Sequence, residues 1–268
     1  MSVPLFPELR LRVDGPIARL TMARPAKANA LSQRQLQHLE AAVAWVNGDP
    51  AIKAVVIDGE GRHFCGGADL TDDRVGADDR ALSARIDQGR AVTAAIAAMR
   101  PVTIARLHGR VRGAGAVLAM ACDLRFVVQG AELSFPEARL GWPLSWGCVP
   151  RLVREVGPMR TADLVLNCRP MSADALVTAG LALYSGAEAE VDAMIDDTVR
   201  NLAATPSIVL ETIKAYIAEC ADVLVPASMG RSDIWRIRAA MADPDFETVN
   251  KAGTQDMLSM ERFGPRGF

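Results

Sequence analysis

The sequence predicts an α/β protein, and three observations support this class. Short apolar segments typical of buried strands alternate with longer segments that repeat apolar residues at helical spacing. Two glycine-rich loops each follow one of the apolar strands. From Ser172 onward the pattern becomes mostly helical. With 50% of its 268 residues hydrophobic, the chain is long enough to bury a substantial core.

The chain opens with a β-hairpin and a helix. Alternating apolar and polar residues predict strands over Leu9–Val13 and Ile17–Met22. Ser32 with Gln35 three residues later is a capping-box pattern that predicts a helix start, and Gly48 ends the helix. The apolar face of this helix comprises Leu36, Leu39, Val43 and Val46.

Buried strands alternate with helices through the middle of the chain. Continuous apolar runs predict strands covered on both faces over Ala54–Ile57, Thr103–Leu107 and Leu124–Val128. A long helix is predicted between the acidic stretch Asp72–Asp79 and Arg100. A short strand and two helices follow, over Leu133–Phe135, Val149–Val156 and Pro158–Leu166.

Two apolar stripes predict helices in the C-terminal part of the chain. One stripe comprises Val191, Ile195, Val199 and Leu202, and the other comprises Val209, Ile213 and Ile217. We therefore expect a helical tail after the α/β part.

Charge and composition exclude several classes of function. Thirty Lys and Arg residues against 32 Asp and Glu residues give a formal net charge of −2, without the basic excess typical of nucleic-acid binding. No apolar run approaches the roughly 20 residues that span a bilayer, and Met1–Arg12 lacks the pattern of a signal peptide. The five cysteines have no metal-type spacing. We expect a cytoplasmic protein with reduced thiols, no metal site, and no nucleic-acid or membrane partner.

The two glycine-rich loops place backbone N–H groups where a ligand can approach closely. The first contains Gly66-Gly67-Ala68, and the second contains Gly113-Ala114-Gly115 at the start of a helix. A helix start leaves its first N–H groups without intrahelical acceptors. Two such loops that converge can hold one oxygen as an oxyanion hole. Each loop alone also fits tight packing of a helix on a strand, so both interpretations stay open from the residues.

Five motifs follow one another in a specific order over residues 9–185. They are Arg24-Pro25 with Asn29-Ala30-Leu31, then Phe64 to Asp69, then His108-Gly109 with Gly113-Ala114-Gly115, then Cys122-Asp123, and Phe135-Pro136-Glu137 with Leu140-Gly141. In this combination the chain resembles the enoyl-CoA hydratase/isomerase family, the crotonase superfamily. The resemblance implies a crotonase-like spiral of repeated β-β-α turns with an acyl-CoA site over residues 1–200. It also implies a helical trimerisation region over residues 201–268, with a homotrimer or a dimer of trimers as the assembly.

The resemblance also implies the oxyanion donors and the CoA contacts. In the family two backbone N–H groups hold the thioester oxygen while an enolate forms, and the matching donors are those of Ala68 and Ala114. The implied CoA-binding residues are Arg24, Ala26, Lys27, Ala28, Gly66, Gly67, Asp69 and Gly113. No tightly bound cofactor is expected, because coenzyme A enters as part of the acyl-CoA substrate.

Glu137 is the acid/base that the resemblance implies. Hydratases of the family carry two glutamates, and here Val117 occupies the position of the first and Glu137 that of the second. Ser145 stands where some relatives carry an aspartate. Adding water is work shared by two carboxylates, whereas one carboxylate can take a proton from C2 and return it at C4. We therefore predict an isomerase type of reaction, and expect burial against Val117, Phe135 and Trp142 to raise the pKa of Glu137.

Several alternatives stay open at this point. Without the resemblance, Glu137 is more simply a structural carboxylate. Within the family, hydratase is the second hypothesis, and decarboxylation of an acyl-CoA needs no base. A CoA-binding pseudoenzyme or assembly subunit is the alternative from another class, and Val117 together with the atypical C-terminus favours it.

The remaining reactive side chains are interpreted as structural. His63 and His108 fit hydrogen-bonded histidines, and Asp69 fits a residue that fixes its loop through hydrogen bonds. Cys65 has no basic partner in the sequence and fits small-residue packing. Ser145 lacks the first glycine of a nucleophile elbow.

Overall fold

A sheet of six strands lies at the centre of the part of the chain that the structure describes. The computed structural model describes residues 3–72 and 79–263, apart from the side chains of residues 79–82 and 257–263. In spatial order the strands are β1 (Leu9–Asp14), β2 (Ile17–Met22), β3 (Ala54–Gly59), β4 (Val102–Leu107), β6 (Leu124–Val128) and β9 (Tyr184–Gly186). β1 and β2 pair antiparallel, and every later neighbour pairs parallel.

The structure confirms the N-terminal hairpin that the alternating apolar and polar residues predict. Leu9 lies opposite Met22 and Asp14 lies opposite Ile17, so the pairing closes at the turn. Gly15 adopts a φ of 53° in that turn, a conformation that favours glycine. The hairpin therefore forms the edge from which the parallel strands continue.

The parallel strands are covered on both faces, which explains their continuous apolar runs. In β3, Val55 and Ile57 belong to the main core, whereas Ala54 and Val56 belong to a second cluster. The second cluster includes Val191, Ile195 and Val199 of α6 (Glu188–Ala204). Burial on two faces is typical of parallel sheets.

A smaller sheet of three strands holds the segments that follow the long strands. It consists of β5 (Arg110–Arg112), β7 (Glu132–Ser134) and β8 (Met171–Ser172), in that spatial order. β5 follows β4 and β7 follows β6, so each turn of the chain gives one strand to each sheet. This arrangement is consistent with the repeated β-β-α turns that the resemblance implies.

The helices between the strands begin and end close to the expected positions. They are α1 (Gln33–Asn47), α2 (Asp79–Ala97), α3 (Ala114–Met120), α4 (Cys148–Leu166) and α5 (Ala173–Thr178). The hydroxyl of Ser32 accepts a hydrogen bond from the N–H of Gln35, which confirms the capping interaction at the start of α1. Gly157 has a φ of 76° inside α4, so the two helices expected there are separated by a kink.

The C-terminal part is helical, as the apolar stripes predict. It consists of α6, α7 (Ser207–Leu224), α8 (Asp233–Met241) and α9 (Phe246–Phe263). α6 runs across residue 200, so the expected division between core and tail falls inside a helix. The stripe on α7 faces outward, with Ile213 54% exposed and Ile217 63% exposed. Among the described helices, none combines the length and apolar character that crossing a bilayer requires.

The sequence patterns miss the shortest strands. β5, β8 and β9 have two or three residues each, too few to show a periodicity. The sequence predicts mostly helical structure from Ser172 onward and gives no strand there, whereas β9 pairs with β6 in the structure. Residues 73–78 of the acidic stretch lie outside the described residues.

Candidate active site

The first donor loop is joined to β5 by strand-like pairing. The N–H of Cys65 donates to the carbonyl of Arg110 at 3.1 Å, and the N–H of Arg112 donates to the carbonyl of Cys65 at 3.0 Å. β5 leads directly into the second donor loop. This pairing therefore brings Gly66-Gly67-Ala68 next to Gly113-Ala114.

The other side of the first loop is held by residues 28–31. The N–H of Gly66 donates to the carbonyl of Ala28, and the N–H of Leu31 donates to the carbonyl of Gly67, both at 2.8 Å. The N–H of Asp69 donates to the carbonyl of Leu31 at 3.0 Å. The loop is thus fixed between two neighbouring backbone segments.

Asn29 fixes this arrangement with its side chain, a role that the sequence analysis did not assign. Its amide nitrogen Nδ2 donates to the carbonyls of Glu60 and His63 at 3.0 and 2.7 Å, and its Oδ1 accepts from the N–H of Arg24 at 2.9 Å. Asn29 is fully buried and has a φ of 55°, which asparagine tolerates better than most residues. The signal in the sequence was its fixed place after Arg24-Pro25.

Glycines lie where the two donor loops touch. A Cβ on Gly67 would lie 3.2 Å from the carbonyl oxygen of Arg112, and a Cβ on Gly115 would lie 2.6 Å from the Cβ of Cys65. Any side chain at these positions would separate the loops. The absence of side chains therefore brings Ala68 and Ala114, which are adjacent to these glycines, into neighbouring positions.

The N–H groups of Ala68 and Ala114 are available to a ligand within the described part of the chain. Neither of them donates to an acceptor among the described residues, and Ala114 is the first residue of α3. Ala114 is buried and Ala68 is half-buried. Two unpaired donors at adjacent loops are the arrangement that an oxyanion hole requires.

Glu137 begins a short 3-10 helix, Glu137–Leu140, directly beside Gly113. Its carboxyl oxygen Oε1 lies 2.9 Å from the point where a Cβ on Gly113 would stand. Its carboxyl is buried, and Oε2 has no hydrogen-bond partner among the described residues. Burial raises the pKa of Glu137 from 4.5 to about 7. The expected direction of that shift is confirmed.

Val117 lies in α3, one turn beyond Gly113. Its N–H donates to the carbonyl of Gly113 at 2.9 Å, and the residue is 2% exposed. The helix that begins beside the Glu137 carboxyl therefore carries a buried apolar side chain one turn from its start.

The C-terminal helix α9 packs on the turn that carries Glu137. Phe246 contacts Trp142 edge-on, with ring centroids 4.9 Å apart. The amide nitrogen of Asn250 donates to the carbonyl of Leu140 at 2.8 Å. A Cβ on Gly253 would lie 2.5 Å from the carbonyl oxygen of Arg139. No pattern in the sequence predicts that α9 packs on this turn, because the contact depends on tertiary packing.

A cavity of about 470 Å³ opens beside the first donor loop. Six of the residues assigned to CoA binding or oxyanion donation line this cavity: Ala26, Lys27, Ala28, Gly66, Ala68 and Asp69. Arg62, His63 and Arg110 also line it, and the sequence analysis gave none of them a binding role. Gly67, Gly113, Ala114, Glu137 and Arg24 are not among the described lining residues. The cavity therefore includes Ala68, one of the two expected donor residues, and does not include Glu137.

Arg24 and Asp69 form a network behind this cavity. The guanidinium of Arg24 donates to Asp69 at 2.9 Å and lies 3.5 Å from Glu8. Asp69 also accepts from the hydroxyl and the N–H of Thr71 at 2.7 and 3.0 Å. These bonds outweigh the effect of burial and hold the pKa of Asp69 below its usual value. In the structure both residues fix the loop, and Asp69 additionally lines the cavity.

The histidines and Cys65 have the environments of structural side chains. Burial lowers the pKa of His63 and His108, so both are neutral at pH 7. His108 Nε2 lies 3.1 Å from the carbonyl oxygen of Gly61, and His63 Nδ1 accepts from the N–H of Arg110 at 3.2 Å. Burial raises the pKa of Cys65 to about 12, which keeps the thiol protonated. Among the described residues no group of His, Cys, Asp and Glu side chains is placed to hold a metal ion.

Comparisons with known proteins give a consistent family match. A model of the family described as Enoyl-CoA hydratase/isomerase matches residues 12–234. A protein of Bacillus subtilis (strain 168), named a probable enoyl-CoA hydratase, is 34% identical over 186 residues, which cover 68% of this chain and 71% of that protein. The peroxisomal Delta(3,5)-Delta(2,4)-dienoyl-CoA isomerase of Arabidopsis thaliana is 26% identical over 255 residues, covering 90% of this chain and 91% of the isomerase.

A solved structure shows the same fold. The crystal structure of an enoyl-CoA hydratase/isomerase from Xanthobacter autotrophicus Py2 superimposes with a TM-score of 0.85 at 22% sequence identity. The alignment covers 97% of this chain and all of that chain, 100%. The two glycine-rich loops and the Glu137 turn all lie within the part of the chain that the family model matches.

Proposed function

Because this chain belongs to the enoyl-CoA hydratase/isomerase family, we propose that it shifts the double bond of an enoyl-CoA thioester through an enolate. The observation that carries this proposal is the buried carboxyl of Glu137, placed beside the second donor loop while Val117 fills the position of a second carboxylate. One ionisable group in an apolar setting suits proton transfer within a substrate better than the addition of water.

The N–H groups of Ala68 and Ala114 hold the thioester oxygen in this proposal. When a proton leaves C2, negative charge develops on that oxygen, and the two donors stabilise it. Each such donor contributes about 3 kcal/mol to the transition state in enzymes where one has been removed. The contacts at Gly67 and Gly115, which keep the loops together, support this role.

Glu137 moves the proton. Its carboxylate takes a proton from C2 of a 3-enoyl-CoA, and the electron pair of that C–H bond enters the enolate. The same carboxyl returns the proton to C4, and the double bond is then between C2 and C3. Every atom of the substrate is retained, so no water is consumed. A pKa of about 7 supports both steps, because both protonation states are populated near neutral pH.

The cavity beside Ala68 receives the coenzyme A part of the substrate. Lys27, Arg62 and Arg110 line it and supply positive charge for phosphate groups. Lys27 Nζ donates to the hydroxyl of Thr71 at 3.1 Å, which places the ammonium group over the cavity. Coenzyme A arrives and leaves with the acyl group, so no separate cofactor is proposed.

Hydration of a 2-enoyl-CoA is the second candidate, and the name of the Bacillus subtilis relative favours it. The name of the Arabidopsis thaliana relative favours double-bond isomerisation instead. A CoA-binding pseudoenzyme would have no use for a buried carboxyl with a raised pKa, so we place it behind both.

Purified protein offered a 3-enoyl-CoA, a 2-enoyl-CoA and a saturated acyl-CoA separates these candidates. Isomerase activity gives the conjugated thioester, measured by its absorbance, without a 3-hydroxyacyl product. If the 3-hydroxyacyl-CoA is the main product, the protein is a hydratase and the proposed isomerase function is wrong. Binding of all three without turnover favours the pseudoenzyme. Glu137→Gln is the matched variant, and full activity in it contradicts the assignment.

We also propose a homotrimer or a dimer of trimers in the cytoplasm, formed by the tail of residues 201–268 on the spiral core of residues 1–200. The outward stripe of α7 supports this assembly, with Ile208 68% and Tyr216 67% exposed beside Ile213 and Ile217. Analytical ultracentrifugation of the full chain measures the assembly directly.

A further inference from the structure

Arg85 is a buried cation beside the first donor loop, and neither the sequence motifs nor the mechanism above assigns it a role. The residue lies in α2 and is 9% exposed. Its Nη2 donates to the carbonyl oxygen of Asp69 at 3.1 Å, whereas its Nη1 has no hydrogen-bond partner among the described residues. Asp69 directly follows Ala68, so this guanidinium lies close to the site of the thioester.

The two described carboxylates near Arg85, those of Asp69 and Asp72, have other hydrogen-bond partners. Asp69 binds Arg24 and Thr71 through its side chain, and Asp72 accepts from the N–H of Gln33 at 2.8 Å. Burial lowers the pKa of Arg85, and the two acids oppose that shift from a distance. Arginine nevertheless keeps its charge in proteins, so a charged N–H group is buried here without an acceptor among the residues that the structure describes.

Arg85 lies on the face of α2 that packs against Trp146 further along the helix. One turn further on, the backbone at Gly89 packs directly on the ring of Trp146, where a Cβ would lie 1.9 Å from the ring. One more turn along, the hydroxyl of Thr93 donates to the carbonyl of Trp146 at 3.0 Å. Residues four apart share one face of a helix, so Arg85 extends this face towards the first donor loop.

Arg85 is also separated from the cavity that receives coenzyme A. Asp69 lines that cavity, but Arg85 is not among its described lining residues. The side chain of Asp69 binds Arg24 and Thr71, whereas its carbonyl binds Arg85. The guanidinium binds the backbone of the first donor loop, and the face of α2 that carries it continues to Trp146. We place the end of the acyl group at this guanidinium.

From this placement we infer that Arg85 recognises a carboxylate on the acyl group, so that the preferred substrates are CoA monothioesters of short dicarboxylic acids. This inference rests on the proposed function. A carboxylate supplies the missing acceptor through a charge-assisted hydrogen bond. A hydrocarbon chain in the same place leaves the charged N–H group buried and unpaired, which is unfavourable. Because Arg85 binds the residue next to Ala68, a short acyl chain reaches from the thioester to the guanidinium.

Calorimetric binding of two saturated thioesters tests this inference without requiring turnover. Glutaryl-CoA carries a terminal carboxylate, and pentanoyl-CoA has the same chain length with a methyl end. We expect the native protein to bind glutaryl-CoA about tenfold more tightly, as expected for one hydrogen bond between charged groups. Arg85→Met should remove this preference and should bind pentanoyl-CoA at least as tightly as the native protein does, and Arg85→Lys should keep part of the preference.

Arg90→Met is the matched control, because Arg90 is on the same helix and its side chain is 36% exposed, 3.5 Å from Asp87. It should keep the preference for glutaryl-CoA. Equal affinities in the native protein, tighter binding of pentanoyl-CoA, or a preference that survives Arg85→Met overturns the inference and leaves the proposed function intact. Failure of the native protein to bind either thioester contradicts the proposed function, and the inference is then rejected with it.

Discussion

Oxygen Oε1 of Glu137 lies 2.9 Å from the point where a Cβ on Gly113 would stand. Gly113 has a φ of 49° and a ψ of −120°, which a residue with a side chain rarely adopts. Its N–H donates to the carbonyl of Ser134 at 3.0 Å, so the backbone there is fixed by the small sheet. The position of the carboxyl and the start of α3 therefore depend on each other.

Gly113→Ala should abolish most of the activity. The methyl group would displace the Glu137 carboxyl, and a ψ of −120° lies outside the left-handed helical region, so the strain should exceed the cost of about 1–2 kcal/mol in that region. Gly130→Ala is the control for a positive φ alone, since Gly130 has a φ of 83° but nothing within 4 Å of its Cβ position. Gly130→Ala should lose less unfolding free energy in denaturant than Gly113→Ala, and only Gly113→Ala should lose kcat. Equal kcat values in the two variants contradict the placement of Glu137.

The rate of isomerisation should fall as the pH drops below about 7. Abstraction of a proton from C2 requires the Glu137 carboxylate, and the raised pKa of this residue means that protonation begins near neutral pH. Well below that pKa, kcat should decrease about tenfold per pH unit. Burial lowers the pKa values of His63 and His108, so any change in rate from these histidines should begin at a lower pH than the change from Glu137. A pH–kcat profile that stays flat down to about pH 5 contradicts the assignment.

Glu137→Gln should be more stable than the native protein at high pH. The pKa of Glu137 is about 7 in the folded protein and near 4.5 when exposed, so the folded state binds the extra proton between these values. The contribution of this residue to the free energy of unfolding is therefore greatest below pH 4.5 and is lost as the pH rises to about 7. Glutamine does not titrate, so the free energy of unfolding of Glu137→Gln, relative to that of the native protein, should increase over the same pH interval by about 1–3 kcal/mol. Chemical denaturation at several pH values measures it, and an advantage that does not change with pH refutes this linkage.

Lys27→Ala should weaken binding of the coenzyme A part and leave the chemical step intact. Lys27 lines the cavity next to Arg62 and Arg110, away from Glu137. Loss of one charged contact should raise KM about tenfold at low salt with little change in kcat. A pantetheine thioester lacks the nucleotide and its phosphates, so the variant and the native protein should have equal KM for it. A similar increase in KM for both thioesters shows that Lys27 does not contact the nucleotide.

Much of this fold is predictable because its periodic segments are long. The core strands and α1 repeat apolar residues often enough to locate them, and the Ser32 cap fixes one boundary. β9 and β5 have three residues each, and only their pairing with neighbours defines them. Short strands of this kind depend on contacts that no local pattern records.

The candidate site divides in the same way. The glycines of the loops and Glu137 belong to ordered motifs, so their positions could be anticipated from the sequence. The roles of Asn29, Arg62 and Arg85 could not be anticipated, although Asn29 belongs to the first motif, because these roles depend on which backbone carbonyls and cavities the fold places next to them. The packing of α9 on the Glu137 turn likewise arises from residues more than a hundred positions apart, as in the bond from Asn250 to Leu140.

Transfer of an isotope label tests the central claim, that one carboxyl moves a proton within the substrate. A 3-enoyl-CoA that carries deuterium at C2 is incubated with the native protein, and the 2-enoyl-CoA product is analysed by NMR. Transfer by Glu137 predicts deuterium at C4 of the product and none in the Glu137→Gln reaction. Hydrogen from solvent alone at C4, or accumulation of a 3-hydroxyacyl-CoA in place of the isomer, contradicts the account.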